Sequence, residues 1–290
     1  MAAEYFTNEG GRLAYSDNGA GPLVVCIPGL GDLRQEYRFL SPSLVAAGFR
    51  VCSLDLRGHG ESSTGWADLS AEAIGRDVLA LIRHLGAERA LVIGTSMGAG
   101  AAVWAAAEEP ELVAGLVLIG PFVRDVGSPM QLRLYRALFR VVLVRPWGLA
   151  FWMRYWASLF PSRKPADFES YRSRLRENLS QPGRFAALRG MMLGRSRREI
   201  EARLPKVAAP VLVVMGTSDR DFKDPAREAR LVADPLWAEV ELIEGAGHYP
   251  HVEFPERTSP ALTSFVESTH QLATDKQDIA HAHSAGPGRG

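Results

Sequence analysis

The chain has 290 residues, with 33 basic against 33 acidic side chains and 47% hydrophobic residues. A chain of this size buries roughly three quarters of its unfolded surface, enough for one large core with an insertion. Disorder of the whole chain is excluded, and the balanced charge argues against an overall electrostatic grip on nucleic acid. The opening residues lack the basic segment and apolar run of a signal peptide. Ala90 to Ala107, the nearest candidate for a membrane span, is broken by Gly94, Gly98 and Gly100. A cytoplasmic protein without an integral membrane segment is therefore expected, with self-association left open. Cys26 and Cys52 each sit inside an apolar, strand-like run and are expected to be buried free thiols.

In chain order, Tyr5 to Thr7 and Arg12 to Asp17 predict an opening hairpin through Gly10-Gly11. Leu23 to Ile27 and Arg50 to Leu56 are short Val-, Ile- and Leu-rich runs bounded by Gly and Pro, as in strands buried on both faces. Gln35 to Ala47 between them predicts a helix with an internal Ser41-Pro42. Ser70 to Leu85 is the clearest helix: Ser70 can cap it, Ile74, Val78, Leu81, Ile82 and Leu85 recur at helical spacing, and Gly86 stops it. Leu91 to Gly94, Leu112 to Ile119, Val211 to Met215 and Val240 to Ile243 supply four more strands, and a last helix is expected from about Thr258 to Leu272. Strands alternating with helices imply an α/β fold with a mostly parallel sheet covered on both faces.

Residues 121–206 interrupt this rhythm with helical segments and no good strand. They hold 18 basic and 6 acidic residues, so a region of net charge +12 rides on a body of −12. The domain reading is a core of residues 1–120 and 207–272, an inserted helical cap over 121–206, and a polar tail over 273–290 expected to be disordered.

Chemistry concentrates where the strand from Ala90 runs into Gly94-Thr95-Ser96-Met97-Gly98 and then into a helix start. This is G-x-S-x-G in a strand, turn, helix context, which holds the serine in a strained conformation with its hydroxyl thrust outward. A serine hydroxyl is a poor nucleophile at neutral pH and needs a base held by an acid. His248, in the Gly-rich loop after the last strand, lies on the same sheet edge as Ser96, and His251 is the second candidate. His59, in Asp55 to Gly60, reads as a loop brace, and His84 as a solvated helix end. The acid should leave another strand on that edge, and Asp219 and Asp221 after Val211 to Met215 both qualify.

With the serine elbow, the Gly216-x-x-Asp219 turn and the Gly245-x-Gly247-His248 loop in this order, the sequence resembles the α/β-hydrolase superfamily over about Tyr5 to Leu272. The resemblance implies an inserted cap, a Ser96, Asp219, His248 triad, and an oxyanion hole formed by the backbone N–H groups of Met97 and of Leu30 in Pro28-Gly29-Leu30-Gly31-Asp32. It selects Asp219 over Asp221. It departs from the common His-Gly start of the oxyanion loop, because Pro28 has no N–H to donate. Serine at position 96, in place of the aspartate of dehalogenases and epoxide hydrolases in this superfamily, implies acyl transfer.

No metal-ligand spacing, P-loop or dinucleotide fingerprint occurs, so no cofactor is expected. The expected partner is a small ester or lactone substrate, cleaved by a cofactor-free serine hydrolase. Carbon–carbon bond cleavage and peracid formation stay open alongside ester hydrolysis. A receptor that binds a small ligand and signals through its cap is the alternative. A third reading docks the cap on anionic membranes, because its aromatics and arginines resemble an interfacial helix. Trp152, Tyr155, Trp156 and Leu159 share one helical face at i, i+3, i+4 and i+7; this face either packs the cap or lines an apolar pocket above Ser96.

Overall fold

The computed structural model describes residues 3–194 and 197–284, with side chains described to residue 275. Eight strands form one sheet: β1 (Glu4–Asn8), β2 (Gly11–Asn18), β3 (Leu23–Ile27), β4 (Arg50–Leu54), β5 (Ala90–Thr95), β6 (Val113–Ile119), β7 (Val211–Gly216) and β8 (Glu239–Ile243). Their spatial order is β1-β2-β4-β3-β5-β6-β7-β8. β1 and β2 pair antiparallel at one edge, and all pairs from β4 to β8 are parallel. The predicted strands are all present at their expected places. β3, β5 and β7 are buried at every position, as their uninterrupted apolar runs require of strands covered on both faces.

The helices are α1 (Ser41–Ala46), α2 (Ala71–His84), α3 (Met97–Glu108), α4 (Pro129–Val142), α5 (Gly148–Ala157), α6 (Phe168–Ser180), α7 (Arg184–Met192), α8 (Arg198–Glu201), α9 (Pro225–Ala233), α10 (Pro250–Glu253) and α11 (Pro255–Ser284). One face of the sheet packs with α2, α3 and α9 into the larger core, through residues such as Ile74, Val78, Val103 and Val232. The other packs with α1 and α11 through Leu44, Leu262 and Val266. Ser70 caps α2 as expected, its side chain accepting from the Ala73 N–H. Cys26 and Cys52 are free thiols buried on the adjacent central strands β3 and β4.

Two expectations change. Gln35 to Ala47 is not one helix but a 3-10 turn, Arg34–Arg38, followed by α1. Pro42 has no N–H to donate to a continuing helical ladder, so the chain restarts there with Pro42 in the first turn. The final helix runs past Leu272 to Ser284; residues 285–290 of the expected tail lie outside the described residues.

Between β6 and β7, helices α4 to α8 build a helical layer with its own apolar cluster, centred on Trp152, Trp156, Phe168, Tyr171, Leu175 and Leu188. This cluster includes Leu33 from the loop after β3 and Tyr249 and Val252 after β8. The cap is therefore seated on loops that leave the carboxyl edge of the sheet.

Candidate active site

β5 ends at Thr95, and the chain reverses through Ser96 into α3. Ser96 has φ +56° and ψ −115°, a conformation that ordinary side chains rarely adopt. The turn is locked by its neighbours: the Ser96 N–H donates to the Ile119 carbonyl at 2.8 Å, and the Phe122 N–H to the Ser96 carbonyl at 3.2 Å. A Cβ at Gly94 would lie 2.4 Å from the Gly98 carbonyl oxygen, and one at Gly98 2.4 Å from the Ile27 oxygen, so neither glycine can carry a side chain without backbone movement. Ser96 is 7% exposed, in a buried recess.

His248 and Asp219 come from the loops after β8 and β7. Nδ1 of His248 lies 2.7 Å from Oδ2 of Asp219, and both side chains are buried. The imidazole packs on Gly120 and near the Phe122 ring, at 5.7 Å between centroids. That same 119–122 segment holds Ser96 through the two backbone bonds above, so the histidine and the serine flank one short loop.

Asp221 is the outer carboxylate, its Oδ2 3.8 Å from Nδ1 of His248. The Tyr155 hydroxyl donates to Asp221, 2.7 Å from each carboxylate oxygen. Burial opposes protonation of His248, but the charges of Asp219, Asp221 and Glu36 outweigh it and push the imidazole up to about 9. Asp219, Asp221 and His248 also form the group among the described residues whose ligand atoms lie close enough for a cation, within 4.8 Å of one another. Nδ1 already faces Asp219 and Tyr155 already donates to Asp221, so the group is a hydrogen-bonded network with only one histidine, poor for a transition metal.

The loop after β3 passes on the other side of the elbow. A Cβ on Gly29 would sit 3.4 Å from Cβ of Ser96, which brings the backbone around Leu30 beside the serine. With proline at 28, bracing comes from a residue that no sequence pattern singles out. Buried Glu36 accepts the Gly29 N–H at 2.7 Å through Oε2, while its Oε1 lies 3.1 Å from Nε2 of His251. The next carboxylate, Asp32, accepts from the Trp156 indole at 3.0 Å and from the Tyr171 hydroxyl. Burial first, then the charge of Glu36, raises Asp32 to about 7.

His251 thus pairs with Glu36, which braces the Gly29 loop, rather than with Ser96. His59 braces its loop, Nδ1 lying 3.0 Å from the Arg57 carbonyl oxygen, and burial lowers it to about 4. Exposed His84 stacks on Phe6.

A cleft of about 270 Å³ opens beside Met97 and Phe122, bounded by Leu69, Met191, Arg197 and Ile200 among others. Trp152, Tyr155 and Trp156 do not line it. Trp152 and Trp156 are buried in the cap cluster, and Tyr155 reaches Asp221 instead. Periodicity identified the face they share. It carried no information on which neighbour covers that face, and the loop after β3 does: a Cβ on Gly31 would meet the Trp152 ring at 2.6 Å.

An eight-stranded, mostly parallel sheet with a serine elbow, and with a histidine and an acid on loops at one edge, defines the architecture of an α/β hydrolase. The chain belongs to that family: a model described as alpha/beta hydrolase fold matches residues 22–255. Among curated relatives, the chain is 29% identical over 271 residues to the 2-hydroxy-6-oxononadienedioate/2-hydroxy-6-oxononatrienedioate hydrolase of Paraburkholderia xenovorans, covering 88% of this chain and 90% of that protein. Among solved structures it resembles a thermophilic esterase from Thermogutta terrifontis, with TM-score 0.75 and 26% identity over 93% of this chain and all of that one. A hydrolase from Pseudomonas aeruginosa gives TM-score 0.75 and 26% identity over 91% of this chain and 98% of its own.

Proposed function

We propose that the chain is a serine hydrolase that cleaves a small, largely apolar carboxylic ester or lactone through an acyl-enzyme on Ser96. The observation that carries this reading is the buried clamp of Asp219 on Nδ1 of His248, beside a serine held at positive φ. A clamp on Nδ1 fixes the tautomer in which Nε2 is free to take a proton. Nε2 accepts the Ser96 proton as Oγ attacks the carbonyl carbon. The negative charge that develops on the carbonyl oxygen meets the N–H groups of Met97 and Leu30, held in place by α3 and by the Glu36 brace. His248 then protonates the leaving alcohol, or the ring oxygen of a lactone, and water repeats the sequence to release the acid.

The cleft beside Met97 supports the apolar preference, since Leu69, Met97, Phe122, Met191 and Ile200 contribute to its wall. The esterase relationship supports the bond type.

The test is a panel of acyl esters and lactones of graded chain length, run with wild type and Ser96→Ala, together with a fluorophosphonate probe. Turnover faster than about once per second on one class, lost by three to six orders of magnitude in Ser96→Ala, with labelling confined to Ser96, is the expected result. Labelling of a different serine, or tight ligand binding without turnover, overturns it.

A further inference from the structure

The cap carries an apolar surface that its own packing does not explain. No residue of α4 is buried. Its inner side is half-buried at Leu132, Phe139 and Val142, which accounts for one apolar stripe. A second stripe points outward: Met130, Leu134, Leu138 and Val141, spaced i, i+4, i+8 and i+11, are 70%, 68%, 53% and 65% exposed, with Tyr135 beside them. The surface continues into the start of α5, where Trp147 and Phe151 are exposed and the Phe151 ring meets Phe139 at 6.5 Å. Single exposed apolar residues need no explanation, but seven large ones on neighbouring turns do.

The charge around them has one sign. Between Asp125 and Asp167 the chain has seven basic residues and no acidic one, and Arg133, Arg140, Arg145 and Arg154 are exposed. A second copy is a poor occupant. Face to face it would bring like charges together. Head to tail, the acidic body offers no matching stripe among the described residues: its large exposed apolar residues there, Tyr5, Leu231, Trp237 and Leu272, stand on separate elements. An anionic lipid surface satisfies both features, because acyl chains receive the stripe and headgroups receive the arginines. We propose that α4 and the start of α5 form a docking face for anionic membranes, which the cap enters from its outer side, leaving the Ser96 recess and its cleft to the opposite, sheet-facing side.

The full-length protein should float with unilamellar vesicles of phosphatidylcholine mixed with phosphatidylglycerol and bind them at least about tenfold more tightly than phosphatidylcholine alone. Binding should weaken as salt rises. Leu134→Ser with Leu138→Ser, and separately Arg133→Gln with Arg140→Gln, should each reduce it about tenfold or more. Melting temperature and turnover of a water-soluble ester should stay unchanged in both, since these side chains are solvent-exposed and do not line the cleft beside Met97. Equal partitioning onto both vesicle types, no binding to either, or binding indifferent to the leucine pair overturns the proposal. A dimer in sedimentation velocity that the leucine pair abolishes, without vesicle binding, also overturns it and reassigns the face to a second copy.

Discussion

Around His248, two carboxylates divide the labour. Asp219 holds Nδ1 at 2.7 Å, whereas Asp221 stands at 3.8 Å and is tied down by Tyr155, so it contributes field more than geometry. Asp219→Asn should lower kcat by about 10⁴ through loss of the tautomer and of imidazolium stabilisation. Asp221→Asn should be milder and show itself in the pH profile. In the proposed mechanism the imidazole must be neutral to act as a base, and the surrounding carboxylates push it up to about 9, so kcat/KM on a soluble ester should climb with pH up to about that value. Removing the Asp221 charge moves the midpoint down, and a midpoint unchanged in Asp221→Asn would show that its field does not reach the ring. That Ser96, His248 and the pair Asp219 and Asp221 all leave strand ends on one edge was legible in the sequence, because each follows a glycine-marked turn; the residues alone left the two aspartates level, and only the family resemblance favoured Asp219. Glu36 was not: a carboxylate inside a run expected to be helical reads as solvent-facing, and only the three-dimensional return of the Gly29 loop gives it an N–H to accept.

Among the elements, the Gly29 loop and the cap are tied together by buried hydrogen bonds. Glu36 braces Gly29 from below, while Trp156 and Tyr171 donate from the cap to Asp32, three residues further on. Glu36→Ala leaves the buried Gly29 N–H without its acceptor and frees the loop that carries Leu30. It should cost about 1–3 kcal/mol of stability and about 10²-fold in kcat, with little change in KM. An equal loss in Glu36→Ala and in a variant of the buried ion pair between Arg57 and Asp77 on α2 would reduce its role to general stability. Trp152→Ala and Trp156→Ala should each destabilise by about 3–5 kcal/mol, as truncated core aromatics do, without altering chain-length preference. Ile200→Ala or Met191→Ala, at the cleft, should alter that preference instead. The 3.6-residue period showed that one face of α5 is apolar. A helix alone cannot say whether protein or substrate covers that face, because both reward the same burial.

Across the whole molecule, the parallel sheet was readable because strands buried on both faces can only be continuous apolar runs, and the inserted cap because it breaks the alternation and reverses the charge. Cap and body meet through ion pairs of mixed origin, such as Arg163 with Glu256, well exposed, and Arg203 with Glu108, partly exposed, each worth little individually. The pH dependence of stability is set deeper. His248 titrates near 9 against an ordinary 6.5, so its contribution is complete below about 6.5 and is lost as pH rises through 9. Asp32, raised from 3.8 to about 7, acts in the same direction: its contribution is complete below 3.8 and is lost as pH rises through 7. Glu9, Asp17 and Asp167, lowered by their arginine partners, contribute in the opposite sense and lose that contribution in acid. Denaturant unfolding should therefore give a maximum on the acid side of neutrality, with a decline that Asp32→Asn makes shallower between about pH 4 and 7 and that His248 continues between about 6.5 and 9. A rise over those intervals would contradict both assignments.

The two cysteines give the central sheet a built-in clock. Cys26 and Cys52 lie on adjacent strands with no exposed surface, and burial pushes both thiols up, so neither is a thiolate at neutral pH. A thiol reagent can reach them only when β3 and β4 separate from their covering layers, which makes the labelling rate a count of openings rather than of collisions. Modification should be independent of reagent concentration once the reagent outpaces reclosing, and should be slowed by any ligand that holds the cap and the Gly29 loop together. Stoichiometric labelling within seconds in native buffer would mean that the middle of the sheet opens far more often than its packing implies.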